Sequence, residues 1–168
     1  MPFHPTATRL WKHLPHEERL AAATAFFAEM PTELAGTAIA TLARARHLRP
    51  QAARALAPDA RARILATVLD PGEPLAQGLL VSLHLGERRA LLRAFLDAVP
   101  LPHEDGVLKE EGEALPPPVT PEQARAGIAG LASFPSGQVR TYLNTLWLQD
   151  PDRWGALEAV ADETAGSA

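Results

Sequence analysis

One segment of the chain holds residue types that could do chemistry by themselves. His103-Glu104-Asp105-Gly106 sets a side chain that titrates near neutrality beside two carboxylates, a combination suited to proton transfer or to holding a ligand. It falls within 99–119, between Pro100-Leu-Pro102 and Pro116-Pro117-Pro118. That stretch reads as one long irregular loop, and long loops in small domains are often functional. A second segment, 136–149, carries Arg140, Tyr142, Asn144 and Trp147. Tyrosine, tryptophan and arginine dominate binding hot spots, so these residues join His103, Glu104 and Asp105 as the candidate partner- or ligand-binding set. A third segment holds Arg44, Arg46, Arg49, Arg54, Arg61 and Arg63, with Asp59 as its one acid. Guanidinium groups match carboxylate and phosphate geometry, so these six are candidates for binding anions.

Each segment also has a plainer account. His-Glu-Asp-Gly is what an exposed acidic turn looks like. Tyr142 and Trp147 fit the apolar stripe of a helix. Runs of like charge are commonly solvated faces. A complementary acidic run follows the candidate loop residues, with Glu104, Asp105, Glu110, Glu111 and Glu113 against Lys109.

Other histidines offer less. His13-Leu-Pro-His16-Glu17 has Pro15 between its two histidines, which places them on different sides of a helix boundary rather than on one metal-binding face. His47 complements a helix C-terminus, and His84 sits on an apolar helix as a core residue. The chain has no cysteine, so disulfide, thiolate and cysteine–zinc chemistry are excluded. It contains no nucleophile elbow, phosphate-binding glycine loop or dinucleotide fingerprint. No catalytic residue, metal ligand or cofactor is therefore assigned.

The elements that position these residues are helical. Apolar side chains recur at spacings of three and four, and proline separates one run from the next. The spacing predicts helices over Thr6–His13, Pro15–Glu29, Thr32–His47, Gln51–Leu56, Asp59–Leu69, Pro74–Leu85 and Glu87–Ala98. After the loop, Thr120 is a predicted N-cap with Pro121 in the first turn and Gln123 three positions on. Ser136 and Pro151 open the last two helices. The 74–85 segment is apolar on nearly every face, which places it centrally. Gly86 reads as a break, and Gly127 and Gly130 as weak points in their stripe. β-branched residues are sparse and scattered, leaving little material for strands. The expected fold is all-α, one domain of about eight helices in stacked antiparallel pairs.

Several helices begin alike, with a breaker, an acid and then an arginine: Pro15-His-Glu-Glu-Arg19, Pro58-Asp-Ala-Arg61, Gly86-Glu-Arg-Arg89 and Pro121-Glu-Gln-Ala-Arg125. Over residues 15–149 this resembles the helix–turn–helix arrays of HEAT and armadillo proteins. The resemblance implies stacked helix pairs, either as a short solenoid or as a compact bundle.

The function expected on these grounds is a non-enzymatic protein–protein interaction module in the cytoplasm. Its partner would be another protein or, given the many late apolar residues, a second copy of the chain. The alternative is a small-molecule or metal-dependent enzyme with a site formed by the 103–106 loop and the 136–149 helix. Nucleic-acid binding through Arg44–Arg63 ranks third. The net charge is −4, which disfavours phosphate-driven binding, and no aromatic residues are interleaved with the arginines as stacking platforms. Met1-Pro2-Phe3-His4-Pro5 has no basic stretch followed by an apolar run, so no signal peptide is expected, and no membrane span is expected either.

Overall fold

The computed structural model describes residues 6–109 and 117–160. Glu110, Glu111, Glu113, Pro116 and residues 161–168 lie outside the described residues. The fold is all-α; the described residues form α1 to α10 in chain order and one short hairpin. The residues group into two compact units, 6–87 and 88 onward.

The first unit contains α1 (Ala7–His13), α2 (His16–Ala28), α3 (Thr32–Arg46), α4 (Pro50–Ala55), α5 (Pro58–Thr67) and α6 (Glu73–Glu87). Prolines stand at or beside the starts of α2 to α5, where a missing N–H costs nothing. Within this unit α6 packs against α1, α2 and α3. It buries Leu75, Ala76, Leu79, Leu80, Leu83 and His84. Gly86 does not end α6, which runs on to Glu87. A Cβ at Gly86 would stand 3.0 Å from the Ala25 Cβ, so the glycine permits a close approach of α2 and is not a breaker. At its start, α6 supplies the cap of another helix. The Glu73 carboxylate accepts the backbone N–H groups of Ala7 and Thr8 and the Thr8 hydroxyl. These are the N–H groups that a helix start leaves without partners. Trp11 is fully buried, and its Nε1 donates to the Val68 carbonyl at 2.7 Å.

The second unit contains α7 (Arg89–Ala98), β1 (His103–Glu104), β2 (Val107–Leu108), α8 (Pro121–Gly130), α9 (Ser136–Gln149) and α10 (Pro151–Trp154). Helical backbone resumes over 156–160. α8 opens on the expected capping box, with Thr120 Oγ1 accepting from Gln123 N and Gln123 Oε1 from Thr120 N. Gly127 and Gly130 are contact points, not weak points. A Cβ on Gly127 would fall 2.5 Å from Phe95 Cε2, and one on Gly130 would fall 2.8 Å from the Ala98 Cβ. The two glycines let α8 lie directly on α7. Phe95 is the centre of this core: its ring meets Tyr142 edge-on at 5.4 Å and Trp154 at 5.8 Å between centroids.

Candidate functional site

The His103–Gly106 segment is not irregular. β1 and β2 pair antiparallel, with His103 opposite Leu108 and Glu104 opposite Val107. Asp105 and Gly106 form the two-residue turn at φ +49° and +83°. Positive φ at both central residues is the requirement of the I′ hairpin turn, which Asp-Gly meets well. Gly106 is buried, and a Cβ there would stand 2.8 Å from the Leu92 Cβ, so the turn is seated on α7.

The polar groups of this hairpin bond to each other and to α7. His103 Nε2 lies 2.9 Å from Asp97 Oδ1, and His103 Nδ1 accepts the Gly106 N–H at 3.3 Å. Both ring nitrogens are therefore engaged. Asp105 Oδ1 lies 3.4 Å from Arg93, and Oδ2 lies 3.5 Å from Arg89, which also donates to the Asp105 carbonyl. Glu104 pairs with Lys109 at 3.3 Å. The histidine side chain is 13% exposed and its Asp97 partner 73%. These are rim interactions of modest strength; those of His103 and Asp105 fasten the hairpin to α7. Among the described residues no group of three or more histidine or acidic side chains is placed to hold a metal ion.

The residues expected on 136–149 divide by burial. Arg140 is exposed and Trp147 is half-buried on α9. Tyr142 lies in the aromatic core against Phe95, where burial pushes its hydroxyl well above the ordinary tyrosine range. It is the chain's one tyrosine, so tyrosinate absorbance reports it alone. We expect no ionisation until the fold opens, and stability should hold below pH ~10 and fall as pH rises beyond it. A freely titrating phenol in the folded chain would contradict this placement.

Asn144 is 1% exposed. Its Nδ2 donates back to the Arg140 carbonyl at 2.8 Å, while Oδ1 is buried without a hydrogen-bond partner. A buried unpaired acceptor costs roughly 1–3 kcal/mol. Asn144→Leu keeps the branched side-chain skeleton and removes the unpaired acceptor, and is therefore expected to stabilise the chain by about 1 kcal/mol, read as a higher denaturant midpoint with unchanged slope.

The arginines separate into one packed residue and five open ones. The Arg61 guanidinium lies 5.9 Å from the Phe27 ring centroid and donates to the Arg54 carbonyl, and its Nε is buried without a hydrogen-bond partner. Arg44, Arg46, Arg49, Arg54 and Arg63 are exposed. Among the described residues none of these five is paired with a carboxylate.

No protein-family model, curated protein or solved structure matches the chain.

Sequence reasoning missed a further feature at this arginine-rich end. α3 stops in a double-bonded turn. The His47 N–H reaches the Arg44 carbonyl and the Leu48 N–H reaches the Ala43 carbonyl at 2.8 Å, with His47 in the left-handed region at φ +52°. This is the Schellman arrangement, in which glycine usually takes the left-handed place. A non-glycine residue there carries no simple sequence signal. The turn sets Leu48 outward, and Leu48 is one of the few exposed large apolar side chains (36%) among the described residues.

Proposed function

We propose that the chain is a non-enzymatic interaction module that binds another protein. One contrast carries this reading. On the 103–106 hairpin His103 and Asp105 are bonded to α7 and Glu104 to Lys109, whereas the exposed arginines of 44–63 have no carboxylate partner among the described residues and stand beside an exposed leucine, groups that bind rather than react. Helix pairs also present broad surfaces, as in HEAT and armadillo arrays. Among the described residues no helix is long and apolar enough to cross a membrane, and the proposed setting is the cytoplasm.

The late apolar residues that suggested a second copy, including Tyr142, Leu143, Leu146, Leu157 and Val160, are buried within the single chain. A different protein is therefore the favoured partner.

The test is capture from the native cytoplasm by the immobilised full chain, read by mass spectrometry. We expect a saturable, near-stoichiometric partner, retained by the H103A/E104A variant with a slightly lower Tm. Turnover of a small molecule that this variant abolishes would replace the module reading with the enzyme one. Failure to enrich any protein above an unrelated helical control would end it.

A further inference from the structure

We infer that the corner made by the end of α3 and the whole of α4 docks an acidic segment of the partner protein, one that carries an apolar side chain among its carboxylates; this rests on the interaction-module reading. Residues 44–52 are exposed without interruption, and Ala53 is the buried foot of α4. Arg44, Arg46, Arg49 and Arg54 all lie on this corner with no acid between them, and no carboxylate is paired with them among the described residues. Unpaired guanidinium groups keep their full donor set for bidentate carboxylate contacts.

Leu48 falls between Arg46 and Arg49 in the chain. In this type of helix ending the residue after the left-handed one commonly packs back on the last turn. Here it remains exposed. Its place is fixed by the two hydrogen bonds of the turn and by Pro50, which presets the backbone at the first position of α4. An exposed apolar side chain held in position with arginines before and after it in the chain is suited to a partner that alternates carboxylates with a leucine-like side chain.

The same features favour protein over nucleic acid. Residues 44–56 contain no phenylalanine, tyrosine or tryptophan on which a base could stack. A phosphate backbone makes no use of an exposed leucine, and the chain as a whole is negative.

The probe is a fluorescein-labelled synthetic peptide of alternating glutamate and leucine, titrated into the full chain and read by anisotropy. Controls are a glutamate-only peptide and a DNA oligonucleotide of equal charge. We expect the mixed peptide to bind at least about fivefold more tightly than either control, with affinity falling as salt rises. L48S should weaken it about tenfold at unchanged salt dependence. The quadruple variant R44Q/R46Q/R49Q/R54Q changes only exposed residues, so it should keep its Tm while losing both the affinity and its salt dependence. Equal binding by the quadruple variant, or tighter binding of the DNA than of the mixed peptide, would overturn the proposal. If the quadruple variant and L48S still captured the cytoplasmic partner undiminished, the corner would be wrong while the module reading stood. If the wild-type chain captured nothing, that reading would itself fall.

Discussion

Phe95→Ala is expected to cost about 3–5 kcal/mol and to leave the second unit barely folded at ambient temperature. The ring is fully buried and is the shared neighbour of Tyr142 and Trp154. Truncation therefore opens a cavity and also removes two aromatic contacts, each worth up to about 1.5 kcal/mol beyond area burial. Trp154 comes from α10, and the carbonyl beside it, that of Arg153, holds the N–H of Val119 at 2.9 Å. Loss of the ring should thus loosen the approach to α8 as well as the α7 face. Chemical denaturation followed by near-ultraviolet circular dichroism reads this as a collapse of the aromatic signal at much lower denaturant. A midpoint within experimental scatter of wild type would mean that Phe95 is not the centre of this core.

Gly127→Ala is expected to cost about 1–3 kcal/mol by the opposite route, overpacking. The added methyl would meet Phe95 Cε2 at 2.5 Å and Val99 Cγ2 at 2.6 Å. The phenyl ring cannot swing aside, because Tyr142 and Trp154 hold it, so α7 and α8 must separate. Gly137, on α9, has open space around its missing Cβ, and Gly137→Ala should be neutral or slightly stabilising through helix propensity. Pairing Gly127→Ala with Phe95→Leu gives a sharper check. The smaller side chain makes room for the methyl, so the double variant should be less destabilised than the two costs added together. Strict additivity would show that the two sites do not touch.

The chain's helices were largely legible because proline marks their starts and apolar side chains repeat at three and four. The cap of α8 was readable residue by residue, since Thr120, Pro121 and Gln123 meet the local requirements of a capping box. What escaped the sequence depended on partners far along the chain. Nothing near Ala7 shows that its helix start is capped by Glu73. Gly86, Gly127 and Gly130 read as interruptions because a glycine's local effect is to weaken a helix, and only the approaching helix reveals its use. The hairpin at 103–108 had a usable signal in Asp105-Gly106. It was obscured because each strand is two residues long, too short to show alternation. The candidate residues of α9 divide, with Arg140 exposed and Tyr142 and Asn144 buried. Tyr142 has the chemistry of a binding residue, but its spacing follows the apolar stripe, and the stripe determined where it lies.

The arginine corner was visible as a charge run, but charge alone did not distinguish Arg61, which packs on Phe27, from the four open arginines around Leu48. That difference separates a solvated basic face from a surface organised for contact. Amide hydrogen exchange on the full chain, with and without the captured partner, tests this distinction most directly. New protection is expected over 44–56, with unchanged exchange at the 103–108 hairpin and along α9. Protection confined to the hairpin and α9, with 44–56 exchanging as in the free chain, would contradict it.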